Sequence, residues 1–127
     1  MNAPNLQNRN RRGNILLVTL AFGLLLVGLV VPATQAATLV ASVQNQTCQG
    51  GDFVNVTLTA TLSPPIRNVR YQWDFNNDGI FDTALSPDPS VTHLYPDETN
   101  QTATVRVVKG TRSATDSVTF STIRCGG

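Results

Sequence analysis

Residues 54–62 read Val54-Asn55-Val56-Thr57-Leu58-Thr59-Ala60-Thr61-Leu62, with every even position apolar and every odd position polar. A period of two sends alternate side chains to opposite sides of an extended chain. The stretch therefore predicts a strand with one face on a core and the other in water. Leu39, Ala41 and Val43 form a weaker set of the same kind upstream, and Tyr71, Trp73 and Phe75 share a face opposite Arg70, Gln72 and Asp74. Ala103, Val105 and Val107 continue the pattern, and Val118 and Phe120 mark a last strand. From residue 37 onward Thr occurs 14 times and Val 10 times, which favours strands, and no window there sustains a 3.6-residue period. Turn signals separate the runs: Gly50-Gly51-Asp52, Ser63-Pro64-Pro65, Asn77-Asp78-Gly79, Ser86-Pro87-Asp88-Pro89, Pro96-Asp97 and Lys109-Gly110. Several short strands spaced by turns predict an all-β antiparallel sandwich forming one domain over residues 37–127.

Ahead of that domain, residues 1–36 carry Arg9, Arg11 and Arg12 and no acid, and Ile15 to Val31 is an uncharged, apolar run of 17 residues. Pro32-Ala33-Thr34-Gln35-Ala36 follows. A basic start, an apolar middle and a small-residue end make a secretory signal with a cut after Ala36, and Val31 with Ala33 offers a second cut. The alternative is an uncleaved single-pass anchor, since the run lies at the short edge of the ~17–25 residues that span a bilayer. Both readings put the C-terminal domain outside, secreted or at the cell surface. Over the whole chain the balance is nine basic residues to eight acidic ones. That excludes a strongly basic nucleic-acid binder and an acidic disordered tail. Past residue 36 it becomes six bases against eight acids.

Cys48 and Cys125 are the two cysteines. An even count in an exported chain predicts a disulfide, and Cys-x-x-Cys spacing for a metal or redox site is absent. The bridge would close a loop of about 78 residues, for which chain entropy gives about 4.5 kcal/mol at most.

Residues 71–82 read Tyr-Gln-Trp-Asp-Phe-Asn-Asn-Asp-Gly-Ile-Phe-Asp, and His93-Leu94-Tyr95 follows. This resembles the polycystic kidney disease (PKD) domain family. Its members run a Tyr-x-Trp-Asp-Phe strand into an acidic Gly turn, then a His-x-Tyr strand, then two Val/Thr strands, here Ala103 to Val108 and Ala114 to Ile123. The resemblance covers roughly residues 38–123, and Pro96 to Thr102 stands where the family usually has Gly-x-Tyr. It implies an immunoglobulin-like β-sandwich, met in extracellular proteins as a spacer or binding module.

Asp74, Asn76, Asp78 and Asp82 stand at positions 1, 3, 5 and 9 of a loop, with Gly79 at position 6 and the Ile80 carbonyl at position 7. That spacing of oxygens suits Ca²⁺, although Leu85 occupies the position where an EF-hand has Glu. The expected role is to stiffen the turn, because three nearby carboxylates repel without a cation. The competing reading is a turn in which Asp and Asn side chains bond nearby backbone.

Trp73 is expected as the buried tryptophan of a sandwich, and Tyr95 as a corner residue with its hydroxyl on backbone. His93, the single histidine, is read as a structural residue held by hydrogen bonds. No serine sits in a Gly-x-Ser-x-Gly elbow, although a glycosidase-like carboxylate pair is not excluded by spacing. Asn45, Asn55 and Asn100 each begin an N-glycosylation pattern, and Arg67 with Arg70 forms a small basic spot. The expectation is a non-enzymatic exported module that contacts an extracellular protein or polysaccharide, with Ca²⁺ as its one expected cofactor. The rivals are a membrane-tethered structural module and, more distantly, a hydrolase fragment or inhibitor-like binder.

Overall fold

The computed structural model describes residues 36–126, so the expected export or anchor segment lies outside the described residues except for Ala36. Six strands follow one another: β1 (Thr38–Gly50), β2 (Phe53–Ser63), β3 (Arg70–Asp74), β4 (Ser90–Pro96), β5 (Asn100–Lys109) and β6 (Arg112–Ser121). They form two antiparallel three-stranded sheets, ordered β1-β2-β4 and β3-β5-β6. No helix occurs among the described residues.

The alternation explains the packing. Val54, Val56, Leu58 and Ala60 of β2 are buried against Tyr71, Trp73, Ala103, Val105 and Val107 of the other sheet, and their polar neighbours face outward. Burying a Val or Leu side chain contributes about 1.5–3 kcal/mol. Trp73, only 2 % exposed, lies in this shared interior. The chain thus folds as an all-β sandwich, and Cys48 and Cys125 are joined in a disulfide with Cα atoms 5.4 Å apart.

Three features depart from the pattern read along the chain. A bulge between Val43 and Asn45 shifts the β1 register. Leu39, Ala41 and Val43 lie opposite the inward residues Leu62, Ala60 and Leu58, whereas beyond the bulge Gln46 and Cys48 lie opposite Val56 and Val54. The extra residue thus moves the inward face from odd to even positions. The last two strands begin and end elsewhere than at Ala103–Val108 and Ala114–Ile123. The β5–β6 ladder zips up to the Lys109–Arg112 pair because Gly110 takes φ +60° in a two-residue loop. Asp74, expected on the polar face of its strand, is 2 % exposed because the following turn folds back over it.

The sheet edges are treated unequally. β1 and β6 approach each other on one side: Ala41 N–H donates to Asp116 Oδ2 at 2.8 Å, Gln46 Nε2 to the Ser121 carbonyl at 3.0 Å, and Ile123 N–H to Gln46 Oε1 at 2.9 Å. The outer edge of β3 is covered by residues 82–86. Tyr71 and Ser86 exchange both backbone bonds, at 2.7 and 2.9 Å, and Asp82 and Thr83 donate to the Trp73 carbonyl. Between β4 and β5, Glu98 turns the chain at φ +52°, and the Thr99 and Thr122 hydroxyls both donate to the Pro96 carbonyl.

Candidate functional site

β4 runs beside the segment that leaves β3, and the two form the walls of an open hollow of about 470 Å³. Phe75, Asn76 and Asp82 line one side, His93, Leu94, Tyr95 and Pro96 line the other, and Gln101 closes the end near β5. Rings make the floor. His93 stacks on Phe75 with centroids 3.9 Å apart and planes 11° from parallel, and Tyr95 meets His93 edge-on at 4.7 Å. Tyr95 in turn contacts Phe120 edge-on at 5.4 Å. The Tyr95 hydroxyl donates to the Phe75 carbonyl at 2.8 Å, which ties β4 to the start of the acidic loop. Ring stacking is what holds His93 in place.

Burial lowers the affinity of His93 for a proton, and the Asp82 carboxylate works in the opposite direction. Tyr95 is shifted strongly upward by burial and by the nearby carboxylates of Asp82 and Asp74, so its hydroxyl stays a donor. Asp82 is the one carboxylate in the lining, and no Ser, Thr, Cys or Lys accompanies His93 there. Such a lining can stack, hydrogen-bond and attract a cation. It offers neither a nucleophile beside a base nor a pair of carboxylates.

The residues expected around Ca²⁺ are brought together in one tight turn. Asp74 accepts Asp78 N–H on Oδ1 at 3.2 Å and Gly79 N–H on Oδ2 at 2.7 Å. Asn76 Oδ1 accepts Asp78 N–H, Asp78 Oδ1 accepts Ile80 N–H at 2.8 Å, and Asp82 Oδ2 accepts Phe75 N–H at 2.7 Å. Ile80 itself is 70 % exposed. These amide bonds tie the turn together and use at most one lone pair of each oxygen, so Asp74, Asn76, Asp78 and Asp82 keep acceptor capacity. Among the described residues no group of three or more His, Cys, Asp or Glu side chains converges as a metal site.

Sequence reasoning missed the hollow as such. Leu94, Pro96 and Gln101 carry no chemical signature, and Asn76 and Asp82 read as ion ligands rather than as a wall. Of the remaining candidates, Asn45 and Asn100 are exposed and Asn55 is half-buried, while Trp73 keeps its indole N–H buried without an acceptor. Arg67 and Arg70 lie near Lys109, whose ammonium donates to the Arg67 carbonyl at 2.7 Å.

Comparison with curated proteins finds no match, and comparison with solved structures finds none either. The PKD domain family model matches residues 27–122, a span that takes in all six strands and the hollow between β3 and β4. With two antiparallel sheets enclosing Trp73 and a Tyr-x-Trp-Asp-Phe strand leading into the acidic turn, the chain belongs to the PKD domain family.

Proposed function

We propose that this chain is an exported, non-catalytic module that works outside the cell by binding a protein or a polysaccharide through the hollow between β4 and the acidic loop. The observation that carries this reading is the lining: stacked aromatic rings, one exposed carboxylate and amide groups, in a recess without a nucleophile. Aromatic and amide surfaces of this kind suit sugar rings and peptide side chains. The disulfide supports an oxidising compartment, and the family is one of extracellular modules. The uncharged run of 17 residues from Ile15 to Val31 supports export, and its length supports a second reading in which it is retained as a tether.

Two measurements test this. Glycan and matrix-protein arrays probed with the full chain should give discrete hits that His93→Ala and Asp82→Asn weaken, and uniformly blank arrays would end the binding reading. Mass spectrometry of the protein recovered from its source should find residue 37 at the N-terminus. An intact residue 15–31 segment in the membrane fraction would favour the tether instead.

A further inference from the structure

We infer that the outer edge of β4 accepts an extended basic peptide by strand addition, with alternate side chains of the peptide entering the hollow. The inference deepens the binding reading above and rests on it.

The first support is the inventory of edges. The β1 and β6 edges face each other across the Asp116–Ala41 and Gln46–Ser121 bonds and the disulfide, and residues 82–86 cover β3. β4 has β2 on one side, and on the other no backbone bond joins it to any described residue.

The second is parity. Ala60 N–H donates to the Pro89 carbonyl at 2.9 Å, in the same register that pairs Leu58 with Val91 and Val56 with His93. Hydrogen-bonded and non-hydrogen-bonded pairs alternate along an antiparallel ladder, so Val91, His93 and Tyr95 bond to β2. The N–H and C=O groups of Thr92 and Leu94 then point away from the sheet. The Thr57 and Thr92 hydroxyls, 2.9 Å apart, have the close side-chain approach of a non-hydrogen-bonded pair.

The third is the shape of the hollow. His93, Leu94, Tyr95 and Pro96 are consecutive, and consecutive strand residues face opposite sides of a sheet. What four such residues share is the strand edge, so the hollow runs along it. An added strand would bond to Thr92 and Leu94 while every second side chain pointed at Phe75, His93 and Asp82.

Charge selects the occupant. Residues 71–105 contain Asp74, Asp78, Asp82, Asp88, Asp97 and Glu98 and no Lys or Arg. A Lys or Arg side chain entering the recess meets the exposed Asp82 carboxylate, which attracts a cation.

The probe is a nonapeptide with Lys at every second position and Val between. Controls are its Glu counterpart and the Lys peptide N-methylated at alternate backbone nitrogens. Titrated against the full chain, the Lys peptide should bind, and both controls should bind about tenfold or more weaker. Its addition should slow amide exchange at Thr92 and Leu94. Leu94→Pro removes an N–H that no ladder bond uses, so it should fold and lose about tenfold or more in affinity. Should that variant fail to fold, the exchange of the two amides in the unaltered chain decides. Equal binding of the N-methylated peptide, or unchanged exchange at both amides, overturns strand addition. So does a homodimer that Leu94→Pro dissolves, because it gives the edge to a second copy. Array hits without binding of the Lys peptide remove this inference and leave the binding module standing, whereas blank arrays and no peptide binding remove both.

Discussion

Asp74 carries more of the acidic loop than any other side chain. Both of its oxygens accept backbone N–H groups of the following turn, and the residue is 2 % exposed. A buried carboxylate is tolerated when amides surround it, and here those amides hold Gly79 at φ +91° and Asn77 at φ +56°. Asp74→Asn keeps one acceptor but turns an NH₂ toward a donor, so the urea-derived stability should fall by about 2–3 kcal/mol. Melting curves in chelator and in millimolar calcium test the ion expected at this loop: one bound only by the folded state should raise the melting temperature, and identical curves remove it. Tyr95→Phe deletes the bond to the Phe75 carbonyl and leaves a buried acceptor, which should cost about 1–2 kcal/mol in the same measurement. His93 supplies a pH signature. Burial holds its folded-state pKa below the ordinary 6.5, so the unfolded chain binds more protons between the two values. Stability should therefore decline as the pH drops below about 6.5, against the partial compensation of Asp82, and His93→Phe should flatten that slope.

At the level of strands, what could be read in advance was the face of each element, and what could not was its edge. Val54 through Leu62 announces an amphipathic strand because side-chain alternation is written directly in residue types, and the same holds for Tyr71, Trp73 and Phe75. Edges are made by backbone groups, which every residue carries alike, so no residue type reveals that β4 is left uncovered. The bulge near Gln44 was equally hidden, since one extra polar residue in a Thr/Gln/Asn stretch does not disturb any hydrophobic pattern. Asp74 shows the converse failure. Its type and position argue for solvent, and only the return of the chain at Gly79 makes the site dry. Thr83 lies in the connection that follows the acidic loop, where its hydroxyl accepts the Trp73 N–H at 2.9 Å and its own amide donates to the Trp73 carbonyl. Thr83→Val keeps the shape and removes that acceptor. It should cost about 1–2 kcal/mol and speed amide exchange at Trp73, with β5–β6 amides little affected, because the β3–β5 and β5–β6 ladders do not depend on it.

Across the folded domain, charge and covalent closure follow the chain's course. Arg67, Arg70, Lys109 and Arg112 gather at the end where β2 gives way to β3 and β5 turns into β6. Asp52, Asp78, Asp97 and Glu98 lie in turns at the opposite end, where Arg124 pairs with Glu98 at 3.0 Å. The disulfide fastens that acidic end. It joins the far part of β1 to the tail after β6, and Asp97 Oδ2 accepts the Cys125 and Gly126 amides at 2.8 and 3.3 Å. Each sheet has only three strands, and a domain of about 90 residues has a net stability of about 5–13 kcal/mol. Against that, a bridge closing a loop of about 78 residues is worth up to about 4.5 kcal/mol through the unfolded chain. Paired Cys48→Ser and Cys125→Ser substitutions should then lower the urea-derived stability by about 2–4 kcal/mol without altering the far-UV dichroism of the folded state. The loss should act on the unfolded ensemble, so the amides of β2 and β5 should keep their rank as the slowest to exchange even as all protection falls together. If only the β1 and tail amides lost protection while those of β2 and β5 kept theirs, the bridge would be pinning a local flap rather than restraining the whole chain.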